Sequence, residues 1–115
     1  MLKFKKVDNA SGTSLRGYVN ISYHTLVKIF GEPNYNGDGG YKVQKEWVLD
    51  FDTGSDSAVK ATIYDWKQSE SYNGPGQGTH YTQVNKWHIG GYDDKAVDCV
   101  NNAILECLEL EEISR

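Results

Sequence analysis

Proline and cysteine are both scarce, at two residues each in a chain of 115, and no run approaches the roughly 20 apolar residues of a membrane-spanning helix. The cysteines, Cys99 and Cys107, fall in one predicted helix. A rise of about 1.5 Å per residue puts them roughly 12 Å apart, too far to bridge. A disulfide scaffold is therefore excluded and a reducing compartment is expected. With so little proline, the turns are left to twelve glycines and their freedom to take positive φ. A basic stripe is missing too. The net charge is −4, and the one cluster, Lys3, Lys5 and Lys6, is interleaved with Phe4 and reads as the solvated side of an edge strand. Nucleic acid is thus disfavoured as a partner. The opening MLKFKKVDNA has no apolar core of signal-peptide length, so the expectation is a cytoplasmic protein with no membrane partner.

Chemistry-bearing spacings are equally thin. Neither H-x-x-x-H nor C-x-x-C occurs, so zinc is not indicated. Gly37 to Gly40 lacks the Lys-Ser or Lys-Thr of a phosphate-binding loop. No nucleophile stands beside a base in the sequence pattern, and the expectation is a non-enzymatic protein without cofactors or metal.

What the chain does have is aromatic residues: three Trp, eight Tyr and three Phe, enough to build a core in a lean sequence and to argue against disorder. Leu2 to Val7 reads as a short edge strand, and Asp8 to Arg16 as a loop. Ser22 is a helix N-cap, followed by the apolar stripe Tyr23, Leu26, Val27, Ile29 and Phe30. Gly31 sits at the left-handed stop position, with Pro33 beyond. KEWVLDFD alternates, with Lys45, Trp47, Leu49 and Phe51 on one side and Glu46, Val48 and Asp50 on the other. Ala58 to Trp66 pairs with it as a hairpin whose faces are Val59, Ala61, Ile63 and Thr62, Tyr64, Trp66. Val84 to Ile89 is a further strand, and Ala96, Val97, Val100, Ala103, Ile104, Cys107 and Leu108 repeat at helical spacing. The order β-α-β-β-β-α predicts one domain over residues 1–115. Its fold class is α+β, a two-layer sandwich of three to four antiparallel strands with two helices on one face.

Four constellations are candidates for function. His88, between Trp87 and Ile89, reads as structural or surface rather than catalytic. Asp50, Asp52, Asp65, Asp93 and Asp94 gather into a metal site only if one end of the sheet collects them, and such strand-end acids are common in plain hairpins. Gly90-Gly91 before a helix has the layout of an anion site, but Asp93 as N-cap takes the free amides itself. The pair therefore reads as a tight strand-to-helix turn. The fourth is aromatic: Tyr64, Trp66, Tyr72, Tyr81 and Trp87 flank or lie in the long aliphatic-free segment 67–83, with Lys67, Lys86 and His88 beside them. Such rings give contact area at low entropic cost, and a second hydrophobic cluster under a loop explains them as well. Glu106, Glu109, Glu111 and Glu112 oppose the helix dipole, which gives them no folding rationale. Cys99, slightly off the helix stripe, is a candidate for packing a homodimer.

The pieces GYVNISYHTLVKIFGEPN, KEWVLDF, ATIYDWK and WHIGGYDDKAVDCVNNAI resemble a group of small α+β proteins encoded by tailed bacteriophages, over most of residues 17 to 108. No activity is attached to that group, so it supplies no site residues. The helix ending in F-G-E-P also looks like the first half of periplasmic assembly lipoproteins of the BamE type, from which the expected lack of a signal peptide and lipid-bearing cysteine sets the chain apart. The phage resemblance implies a cytoplasmic accessory protein, in the host cytosol, that binds a host or viral protein stoichiometrically, including as an inhibitor of host defence. The alternative is a small-ligand binder that sequesters a signalling nucleotide by stacking its base on the same aromatics.

Overall fold

The computed structural model describes residues 2–36, 43–66, 73 and 78–113, the last three by their backbone. Helix α1 (Tyr23–Phe30) forms where cap, stripe and stop agree. The Ser22 hydroxyl accepts from the Thr25 amide at 3.1 Å, and the Gly31 amide donates to the Val27 carbonyl at 2.8 Å. Gly31 has φ 81° and ψ −167°, an extended positive-φ conformation rather than the left-handed helical one, and one that only glycine enters without strain. Leu26 and Phe30 on its inner face are buried.

The alternating segments become strands. β4 (Lys45–Asp52) and β5 (Val59–Tyr64) form an antiparallel hairpin with Trp47 opposite Ile63, Leu49 opposite Ala61 and Phe51 opposite Val59. β6 (Lys86–Gly91) lies antiparallel beside β5 with Ile89 opposite Ile63. Because side chains alternate, Trp47, Leu49, Phe51, Ala61, Ile63, Trp87 and Ile89 all stand on one face. Helix α2 (Lys95–Ile113) lays Ala96, Cys99, Val100, Ala103 and Ile104 onto that face, and α1 adds Leu26 and Phe30 to the same core. Both helices therefore cover one side of the sheet. β1 (Lys3–Lys6) closes one edge against β4, with Phe4 packed on Phe30 and Phe51 at centroid distances of 5.1 and 5.8 Å. Among the described residues, no helix is long and apolar enough to cross a membrane.

The sheet is larger than the sequence pattern predicts. Among the described residues it has six strands, with β2 (Ser14–Asn20) in the order β1-β4-β5-β6-β2 and the two-residue β3 (Tyr35–Asn36) also paired to β4. β2 falls where a loop and a helix lead-in are expected; it pairs antiparallel with β6 and forms the second edge. A register shift between Leu15 and Gly17 breaks its alternation, which hides it from a period-2 reading.

Three smaller expectations are corrected, those for the glycine pair, Cys99 and Glu106. Gly90 and Gly91 lie inside β6, not in a turn. A Cβ on Gly91 would strike the Ala96 Cβ and one on Gly90 the Thr62 hydroxyl, so the pair is there to let β6 approach its neighbours closely. Cys99 is a buried member of the core and is not available to pack a dimer. Glu106 does have a folding role, since its Oε2 accepts from the Leu2 amide at 2.7 Å and ties α2 to the start of β1. The aspartates do not converge: Asp65 is buried among hydrogen-bond donors, Asp50 pairs with Lys60 at 3.9 Å, and among the described residues no three His, Cys, Asp or Glu form a metal-sized group.

A candidate binding face

Sheet parity divides the aromatic residues into two sets on opposite sides. Trp87 stands on the helix side. It is fully buried, its ring centroid is 5.5 Å from that of Trp47, and its indole N–H donates to the Ile21 carbonyl at 3.1 Å. It is core and not binding surface. Tyr81 is on that side too, in a short 3-10 turn (Tyr81–Gln83), half-buried against Tyr23 at 4.8 Å with the Lys45 ammonium 4.3 Å over its ring. Its position beneath α1 removes it from the expected patch. Lys67 and Tyr72 lie outside the described residues.

Tyr64, Trp66, Lys86 and His88 come together on the face that neither helix covers, and Tyr18 of β2 joins them. The pairing registers run straight across the sheet: Tyr35 opposite Glu46, Glu46 opposite Tyr64, Tyr64 opposite His88, His88 opposite Tyr18. The His88 imidazole stacks on Tyr64 at 5.4 Å and meets Tyr18 edge-on at 4.9 Å. Trp66 meets Tyr64 edge-on at 6.3 Å, and the Lys86 ammonium lies 4.4 Å over the Tyr18 ring. Tyr64 comes within 3.4 Å of where a Gly90 Cβ would stand, so the glycine gives that ring its seat. Tyr18, at 47 % exposure, and Trp66, at 39 %, are the accessible ends of the row. Tyr18 escapes a sequence reading because β2 does; its only signal is the β-favouring run Tyr18-Val19 leading to Ile21.

Asp65 anchors this end of the sheet. Its carboxylate accepts from the Gln44 and Lys45 amides at 2.8 and 2.9 Å and from the Gln44 side-chain amide at 2.7 Å, while that amide also donates to the Thr79 carbonyl at 3.0 Å. One buried carboxylate thus fixes the start of β4, the end of β5 and the approach to the 3-10 turn.

The row is electrostatically under-satisfied. His88 Nδ1 is buried without a hydrogen-bond partner among the described residues. Burial first, then the Lys86 charge, lower the His88 pKa, with Asp65 opposing. The ring is therefore mostly neutral at pH 7. Glu46 is pushed the other way: burial first, then the Asp65 charge, raise its pKa above the ordinary 4.5. Below that value Glu46 is protonated in both folded and unfolded chains. As pH rises the unfolded chain ionises first, so this contribution to stability is lost between 4.5 and the raised folded value. Glu46→Gln is accordingly expected to raise the melting temperature at pH 7 and leave it unchanged at pH 4. A thermal melt at the two pH values checks this, and an equal effect at both contradicts it.

The glycine pair adds no anion site. The Asp93 carboxylate accepts from the Lys95 amide at 2.9 Å, taking one of the free donors at the start of α2. Comparison with known proteins finds no family model, curated protein or solved structure that matches the chain.

Proposed function

We propose that the chain works by stoichiometric, non-catalytic binding of a protein partner through the sheet face that α1 and α2 leave uncovered, with Tyr18, Tyr64, Trp66, Lys86 and His88 as the contact surface. The observation that carries this reading is the continuous aromatic row from Tyr64 to Tyr18, held rigid by a six-stranded sheet and accessible at Trp66 and Tyr18. Rings fixed by cross-strand stacking lose little entropy on binding, and Tyr and Trp dominate interface hot spots. Together with the resemblance to small phage-encoded proteins, this makes the partner a host or viral protein, with components of host defence among the candidates. Cytoplasmic action follows from the same reading.

Sequestration of a small nucleotide uses the same rings as a stacking platform but has less behind it. Tyr64 and His88 already stack on each other, and Asp93 occupies the helix start that would hold a phosphate.

The test is affinity capture from host and infected-cell extracts with the native chain and with Tyr18→Ala/Trp66→Ala, two exposed positions whose loss leaves the core intact. The double variant is expected to keep its circular dichroism spectrum and to lose at least tenfold in captured partner. Undiminished capture by the folded variant refutes the assignment.

A further inference from the structure

The two edges of the sheet are built differently. β1 is four residues long and carries exposed Lys3, Lys5 and Lys6, a common way of keeping another strand from adding to an edge. β2 is seven residues long, and from Gly17 to Asn20 it has no charged side chain, no proline and no bulge. The one charge at its start, Arg16, is folded back: Nε donates to the Gly91 carbonyl at 3.2 Å and Nη2 to the Tyr92 carbonyl at 2.6 Å.

The direction of the free backbone groups follows from one bond. The Ile21 amide donates to the Asn85 carbonyl at 2.8 Å, and the register continues with Val19 opposite Trp87 and Gly17 opposite Ile89. Antiparallel pairs alternate between bonded and non-bonded, so Gly17, Val19 and Ile21 turn their N–H and C=O toward β6. Tyr18 and Asn20 turn theirs away from the sheet. The aromatic row ends on one of these two residues.

We infer that the Tyr18–Asn20 edge of β2 accepts an extended, acidic segment of the partner protein as a seventh strand. The inference rests on the protein-binding reading of the open face. Charge selects the segment: the charged side chains of β2 and β6 are Arg16 and Lys86, with no Asp or Glu, in a chain of net charge −4. Side chains of the added strand that point to the open face stand beside Tyr18 and within reach of the Lys86 ammonium above it, which favours Asp or Glu at alternate positions. Those on the other side stand beside Val19. Length selects against a second copy of the chain: the four residues of regular edge, Gly17 to Asn20, span about 14 Å. Two folded domains joined over so short a ladder fall short of the roughly 1,000 Å² that specific interfaces bury. An extended peptide needs no more than that ladder.

The probe is a display library of random nine-residue peptides, panned on the full native chain, with the selected peptides then synthesised. They are expected to carry Asp or Glu at alternate positions, to slow hydrogen exchange of the Tyr18 and Asn20 amides, and to bind Asn20→Pro at least tenfold more weakly. That variant removes only an outward-facing donor, a place where an edge strand tolerates proline. Should it fail to fold, amide exchange in the native chain decides. The inference is overturned if no peptide is selected, or if selected peptides leave those two amides unchanged. It is also overturned if the amides become protected without peptide as protein concentration rises, which assigns the edge to a second copy. Peptides whose binding depends on Trp66 but not on the edge amides defeat strand addition and leave the open-face reading standing. Partner capture that survives Tyr18→Ala/Trp66→Ala alongside protected edge amides does the reverse.

Discussion

Trp87→Ala is expected to lower the unfolding free energy by about 3–5 kcal/mol, the range for removing a large aromatic from a packed core. For a domain of this size that is a large share of the total, since net stabilities are about 5–15 kcal/mol. Three contributions add here. The side chain is fully buried against Trp47 and Tyr23, so the space it leaves cannot refill without moving β6 or α1. Its edge contact with Trp47 is lost. The Ile21 carbonyl, at the link between β2 and α1, loses its indole donor. Urea denaturation followed by circular dichroism reads the change as a shifted midpoint at unchanged slope. A shift under about 1 kcal/mol would show that Trp87 is not the keystone its position implies. By contrast Trp66→Ala, on the open face, is expected to move the midpoint by under about 1 kcal/mol, because its ring is well exposed.

The second large effect is at Asp65. Asp65→Ala leaves the Gln44 and Lys45 backbone amides without their acceptor and reduces the Gln44 side-chain amide to its bond with the Thr79 carbonyl, at about 1–3 kcal/mol for each donor that water cannot reach; a total of about 3 kcal/mol is expected. Asp65→Asn separates the parts. Both backbone amides donate to the same oxygen, Oδ1, which an asparagine retains, while its amide nitrogen would face the Gln44 amide nitrogen. The asparagine variant should therefore lose about half as much. Because Asp65 fixes the strand ends that carry Glu46 and Tyr64, the alanine variant is also expected to weaken partner capture under conditions where it remains folded. Equal stability of Asp65→Ala and the native chain contradicts the clamp.

How much of this is legible in the sequence differs by element, for physical reasons. α1 can be read directly, since Ser22, an apolar stripe and Gly31 are three independent local signals over ten residues. β4 and β5 are legible because alternation runs unbroken through KEWVLDFD and the following strand. β2 is not, because its register shift at Arg16 interrupts the period and Val19 is its one side chain packed on the core, while Leu15 and Tyr18 are exposed. β3 is two residues long and leaves no pattern at all. The placement of Trp87 is different: its face is written in the sequence. Lys86 and His88 alternate with Trp87 and Ile89, so parity puts Trp87 with the aliphatic core and His88 on the opposite side. Grouping aromatics by nearness along the chain mixes the two faces. Tyr18 shows the converse, since 70 residues separate it from His88 and only the strand register brings the rings together.

Side-chain oxidation footprinting of the chain alone and with its captured partner tests the central claim most directly, because the exposed rings of the two faces are different residues. The account predicts that partner binding protects Tyr18, Trp66 and Tyr64 from modification, while Tyr92 at the start of α2 and Leu105 on its outer surface react as before. Protection of Tyr92 and Leu105 with Tyr18 and Trp66 unchanged would put the partner at α2 and contradict a binding role for the open face.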